Sequence, residues 1–383
     1  MTASSPVYCP LIQRMANFSG VPSNSTAKIS ALGGFTVCLH GLVSSIGILE
    51  NILILGVVGF HIRRSVISVW ILNLAASDLL ATASLPFFTL FMARGGTWTL
   101  GTTFCRLHSS IFFLNMFVSG FLLAAISLDR CLVVLRPVWA QNHRNVRLVG
   151  KVCGLIWVLA LLCTIPFYLF RDTIDQRSGK VQCYYNYARF LPRGSFDLAS
   201  VCEQRQEAMA LMKLFLAFLI PLMVIITSYA AVSVSLARRG CRRPFRFVRL
   251  VVAVVVSFVV CWAPYHLFSV MEVLVPDRSP LQGSVARALP IAASIAFLNS
   301  VLNPILYVFS CPDLCSKIRQ SLGAVMESVL AEDLGDLARR RSTARSSIST
   351  SEVMLKGRPS LPTSSLRAEE EQEQGRPRSA VVY

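Results

Sequence analysis

The sequence predicts an all-α membrane protein, a bundle of seven spanning helices followed by a short amphipathic surface helix. Composition is the first reason. The 383 residues are 54% hydrophobic and only 15% charged, with a mean hydropathy of +0.57, where soluble domains carry about 25% charge. The second is seven apolar runs, at about 34–60, 67–92, 107–135, 149–170, 208–236, 248–275 and 287–309. Each is long enough for the ~30 Å hydrocarbon core. The third is the alternation of charge in the segments between them.

In chain order, residues 1–33 form a polar tail with two glycosylation sequons, at Asn17 and Asn24. The first run starts too late and is too long for a signal peptide. Segment 61–66 holds Arg63 and Arg64; 136–151 holds Arg136, Arg144, Arg147 and Lys151; 238–249 holds Arg238, Arg239, Arg242, Arg243, Arg246 and Arg249. These three segments contain no Asp or Glu, whereas the alternate ones mix signs, as in Arg171, Asp172, Asp175, Arg177 and Lys180. Basic residues collect on the cytoplasmic side, so the N-terminus is expected outside and the C-terminus inside, in the plasma membrane. The net charge of +17 is then a topology signal with attraction to anionic membrane lipid, and no nucleic acid is needed to explain it.

Residues 34–309 make the seven-span bundle. Past it, 310–330 places Leu314, Ile318, Leu322 and Val325 at three- and four-residue steps, as an amphipathic helix lying on the membrane would. Residues 331–383 are polar and Pro-interrupted, which predicts a disordered cytoplasmic tail. Its stretch 341–351, RSTARSSISTS, offers clustered hydroxyls for phosphorylation, and Cys311 and Cys315 are palmitoylation candidates.

Of twelve cysteines, Cys9, Cys105, Cys183 and Cys202 fall outside, where disulfides persist, and allow three pairings. Cys105 opens the third span and Cys183 sits mid-loop before the fifth. Pairing these leaves Cys9 with Cys202, a bridge that would tie the tail over the outer mouth; whether Cys9 and Cys202 pair stays open. Metal-ligand spacing and a nucleophile–base pair are both missing from the sequence, so no enzyme and no cofactor are expected.

Polar groups inside spans face the bundle interior. Asn51 lies in the first, Asp78 in the second, Asn115 and Ser119 in the third, and Asn299, Ser300 and Asn303 in the seventh. Hard oxygen ligands with one carboxylate suit a small cation, so a sodium ion is a candidate modulator; interhelical hydrogen-bond glue is the plainer reading. Pro86, Pro166, Pro221, Pro264 and Pro304 permit kinks, and Trp262 and Tyr265 flank the fourth of them. Asp129 and Arg130 close the third span. Lys213 lies eight residues before Pro221, ~12 Å along a regular helix. It either faces the bundle cavity or snorkels to the outer headgroups.

Together these residues resemble the rhodopsin-like G-protein-coupled receptors. The marks are Asn51, LNLAASD around Asp78, Cys105, the Asp129–Arg130 pair, Trp157, Pro221, CWAP with Trp262 and Pro264, and NPILY from Asn303 through Pro304 to Tyr307. They occur one per span, in order, over roughly 35–325. Finer likeness in ASLPFFTLF, FRDTI, CYYN, FVRLV and the DRC triplet is to the family's chemoattractant-type prostanoid receptors, which group with formyl-peptide and anaphylatoxin receptors.

That resemblance implies a receptor for prostaglandin D and its metabolites, coupled to inhibitory G proteins. It implies that the lipid carboxylate is held by Lys213, Arg171, Tyr185 and Tyr265, with His108, Phe112, Phe113, Glu272 and Arg287 lining the remainder. It further implies a switch through Asp129, Arg130, Tyr229, Trp262, Pro264, Asn303, Pro304 and Tyr307. In that switch Arg130 leaves Asp129, with arrestin and receptor kinases acting on the tail. Two departures stand out: RRPFRFVR offers no acid to hold Arg130, and Gly120 stands where relatives carry a bulky aliphatic residue. Glu272 is expected to pair with Arg287 or Lys213. A chemoattractant peptide receptor is the alternative, and a transporter is disfavoured by the lack of internal repeats.

Overall fold

The structure is a computed structural model and describes residues 8–17, 31–191, 197–239, 245–275 and 279–310, together with residue 320. The chain divides into two units, 1–322 and 323–383, and the second lies wholly outside the described residues. Also outside them lie Asn24, the phosphorylation candidates, Cys311, Cys315, nearly all of the expected surface helix and the side chain of Tyr307.

Among the described residues, seven helices are long and apolar enough to cross a membrane: Gly34–His61, Val66–Ala93, Gly101–Leu135, Val146–Phe170, Leu198–Arg238, Val252–Leu274 and Pro280–Leu306. They carry outward apolar side chains such as Leu49, Leu155 and Leu267, which are exposed in the isolated chain and face lipid in a membrane. The first span packs on the second, the third on the fourth and fifth, and the sixth on the seventh.

Three boundaries differ from the sequence expectation. The third helix begins at Gly101 and the fifth at Leu198, because both continue as polar helix beyond the apolar window. The seventh breaks into Pro280–Ala296 and Asn299–Ser310, where Leu298 N–H bonds to Ile295 and Ser300 N–H to Phe297, tightening the turn.

The fifth helix holds a further departure, a π-helical stretch over Lys213–Leu219. Pro221 has no N–H to give to the carbonyl of Ala217, and Ile220 N–H reaches back to Phe215 instead. The displaced Ala217 oxygen abuts Gly120 on the third helix, where an added Cβ would lie 2.9 Å from it. Gly120 is therefore explained by close backbone approach, and the regular α-helical spacing assumed between Lys213 and Pro221 does not hold.

One end of the bundle carries a β-hairpin, β1 (Arg171–Asp175) antiparallel to β2 (Val181–Tyr185), with Arg171 opposite Tyr185. Gly179 takes a φ of +80° in its turn, a backbone conformation that glycine adopts without steric cost. Disulfide Cys105–Cys183 pins β2 to the third helix, and Arg106 pairs with Asp172 at 3.2 Å. The second bridge, Cys9–Cys202, fastens the short helix Pro10–Asn17 to the first turns of the fifth. Arg177 N–H bonds to the Ala16 carbonyl at 2.9 Å, so this helix is also tied to the hairpin turn. Asn17 lies exposed at its end.

Candidate functional site

Below the hairpin, Lys213 is buried, only 5% exposed, although it starts the π stretch of an otherwise apolar helix. Its Nζ donates to Ser269 Oγ of the sixth helix at 2.6 Å. The ammonium also lies 5.6 Å from the ring of Tyr265 and 5.9 Å from those of Phe113 and Phe167, within cation–π range. The side chain thus turns into the bundle and does not snorkel. An ammonium has three donors, and the protein engages one.

Arg171 and Tyr185 approach from the hairpin, paired by register, with the guanidinium 4.6 Å from the Tyr185 ring centre. Tyr185 lies 6.4 Å from Phe113, tilted, and 6.4 Å from Phe167, edge-on, and these two rings are stacked at 4.2 Å. Phe112 joins the same cage through Tyr265 at 5.2 Å, Phe297 at 5.3 Å and Trp262 at 6.1 Å. Burial pushes the Tyr185 phenol pKa up and holds Tyr184 well above its ordinary value, with the nearby Glu272 carboxylate adding to both. Both remain neutral hydroxyls at neutral pH. His108 sits to one side, between Phe88 at 5.9 Å and Trp98 at 5.8 Å.

Two expected lining residues are placed differently. Glu272 accepts a hydrogen bond from Tyr184, which the sequence reading passed over. Arg287 is exposed and donates to Ser284 one turn away; it does not join the cage. Phe167, Tyr184 and Ser269 were missed, since each is unremarkable in its own segment and becomes a site residue through contacts across helices.

Mid-bundle, Asn115 Nδ2 donates to Asp78 Oδ1 at 3.1 Å and Asn303 Nδ2 to Asp78 Oδ2 at 2.9 Å. Asn115 also reaches Ser77 and Ser119. Asn51 bonds to the carbonyls of Gly47 and Ser300. The polar cluster is therefore assembled, but Asn299 Nδ2, Asn303 Oδ1 and Asn51 Oδ1 are buried without hydrogen-bond partners among the described residues.

At the opposite end from the hairpin, Asp129 is engaged by Arg144, whose Nε and Nη2 bind its two oxygens at 2.8 and 2.9 Å. The expectation set Asp129 beside Arg130 and did not include Arg144, whose bidentate fork suits a carboxylate. Tyr229 is buried, Trp262 is fully packed, and Pro264 lies inside the sixth helix.

A seven-helix bundle with a hairpin lid, a disulfide from third helix to hairpin and a polar mid-bundle cluster defines a class. The chain matches the family of 7 transmembrane receptors (rhodopsin family) over residues 50–307, and it belongs to that family. It is a G-protein-coupled receptor and a multi-pass membrane protein. It is 52% identical to Prostaglandin D2 receptor 2 of Mus musculus, over 91% of this chain and 90% of that protein. To Prostaglandin D2 receptor 2 of Rattus norvegicus it is 53% identical, over 85% and 79% respectively. A C3a anaphylatoxin chemotactic receptor of Oncorhynchus mykiss is 36% identical over 78% of this chain and 80% of its own length.

Proposed function

We propose that this chain is a cell-surface receptor for prostaglandin D and related acidic lipid mediators, with the hairpin end extracellular and the opposite end bound to inhibitory G proteins. The carrying observation is Lys213: a buried ammonium with a single hydroxyl partner in an aromatic cage, in a chain half identical to relatives named for prostaglandin D2.

A lipid carboxylate entering first would take the free donors of Lys213 and the guanidinium of Arg171. The phenols of Tyr185 and Tyr265 would donate to it, in a charge-assisted set. His108, Phe112 and Phe113 give the acyl chain apolar walls. Ligand would favour the state in which the sixth helix swings about Pro264, with Trp262 as lever. Arg130, Tyr229 and Tyr307 then meet the G protein, with Asn303 and Pro304 as the hinge of the seventh helix. Asp129–Arg144 would hold the resting state.

The buried Asn303 Oδ1, without a partner among the described residues, and the Ser300 hydroxyl beside Asp78 fit a hard cation. With Asn115, Ser119 and Asn299 close by, these residues would hold a sodium ion, whose charge would favour one of the two states. N-glycans on Asn17 and Asn24, kinases and arrestin on the 341–351 hydroxyls, lowered cAMP, calcium mobilisation and chemotaxis complete the proposal. The likeness to an anaphylatoxin receptor favours a second reading, a chemoattractant peptide receptor, but the Cys9–Cys202 strap narrows the mouth a peptide would need.

Inhibition of cAMP accumulation by prostaglandin D in transfected cells tests this. We expect a response in wild type, a curve shifted right by about 100-fold in Lys213→Ala, and no signal in Arg130→Ala. A response to C3a or formylated peptide with none to prostaglandin D would replace the first reading with the second.

A further inference from the structure

Beneath the Lys213–Ser269 contact the bundle buries a polar group that no hydrogen bond among the described residues satisfies. His266 is 1% exposed, and neither of its ring nitrogens has a hydrogen-bond partner among the described residues. A neutral imidazole carries one N–H and one bare nitrogen, so either tautomer leaves a donor and an acceptor unmet. Burying such atoms unpaired is costly. Trp262 Nε1, one turn away on the same helix, is also buried without a partner.

The position of His266 follows from two successive rungs between the fifth and sixth helices. In the first, Lys213 meets Ser269 at 2.6 Å. In the second, Phe218 stacks on His266 with centroids 5.1 Å apart. The step is five residues along the fifth helix, matching its π stretch, and three residues back along the sixth. His266 therefore lies one rung deeper than the ammonium. Phe218, Tyr265 and Trp262 pack around the imidazole and fix its plane.

We propose that His266 is a second polar anchor for the lipid carboxylate, donating its ring N–H to the oxygen deeper in the cage while Lys213 holds the other. The inference rests on the carboxylate reading of Lys213. It follows from donor capacity: an ionised carboxylate offers about four acceptor sites, and His266 supplies a donor one rung deeper than Lys213.

The test is binding of prostaglandin D and of its methyl ester to the full-length receptor in membranes. It compares wild type, His266→Phe, His266→Leu and Lys213→Ala, with surface abundance measured for each. Wild type should prefer the acid. His266→Phe, which keeps the ring stack, should lose about tenfold of that preference while ester affinity moves less than about threefold. His266→Leu carries the same expectation if the Phe variant does not reach the surface. A wild-type acid-to-ester ratio in the His266 variants, or equal loss for both ligands, would overturn the proposal and assign His266 to packing or to a buried water. If Lys213→Ala also keeps the ratio, the carboxylate reading itself falls. If only Lys213→Ala loses it, His266 alone is refuted.

Discussion

Two buried ionisable groups divide the bundle, Asp78 at mid-depth and Lys213 below the hairpin. Asp78 receives an amide N–H on each oxygen, from Asn115 and Asn303, and so ties the second, third and seventh helices together. Lys213 is equally hidden but has a lone hydroxyl and three ring faces. A carboxyl satisfied by the protein's own amides is part of the frame. An ammonium with two donors to spare, walled by aromatic rings, is built for a partner from outside. Amide hydrogen bonds lower the cost of burial at Asp78, whereas Lys213 has one hydroxyl partner among the described residues.

That contrast can be broken from several sides. The largest effect belongs to the Cys105–Cys183 bridge, which holds the hairpin carrying Arg171 and Tyr185. Replacing both cysteines by alanine should cost about 2–5 kcal/mol and remove ligand binding measured on intact cells, while leaving the Asp78 cluster untouched. Next is Gly120→Ala, whose methyl would press on the Ala217 oxygen and on Pro221, 3.4 Å away. We expect about 1–3 kcal/mol of destabilisation, read as a lower melting temperature of the purified receptor. Arg144→Ala frees Asp129 from a partly exposed pair, worth about 1 kcal/mol at most. It should raise ligand-independent signalling by no more than about fivefold. Smallest is Asp78→Asn, an isosteric change within the cluster. Ligand affinity compared in equimolar sodium and choline chloride should lose its dependence on sodium and otherwise move less than about threefold.

The sequence announced this contrast unevenly. All seven spans and the polar residues of the cluster were legible, since a charge or amide in an apolar run is a rare signal. Glu50, beside Asn51 and with a buried, unpartnered Oε2, carries the same signal and was passed over. Lys213 was legible as an anomaly, but its surroundings were not. Ser269 lies 56 residues away and is an ordinary hydroxyl in an apolar helix. The π stretch is a backbone response to Pro221 and Gly120 meeting across helices, which no local pattern encodes. The fifth helix runs on through polar Glu203–Arg205, where an apolar window stops. There Arg205 bonds to the carbonyls of Tyr187 and Arg189 at 2.7 and 3.1 Å. The hairpin's turn, with its Ser178–Gly179 step, was a readable sign; the strand pairing was not drawn from it. The adjacency of Asp129 and Arg130 is visible in sequence, whereas the fork from Arg144, 15 residues on, is a tertiary contact.

Lys213 is open to the lipid carboxylate, and Asp78 is not. Saturation binding of labelled prostaglandin D to Lys213→Ala and Asp78→Asn receptors, matched for surface abundance, tests it most directly. We expect at least about 30-fold weaker binding in the first and near wild-type affinity in the second. Equal losses in both, or full affinity in Lys213→Ala, would contradict it.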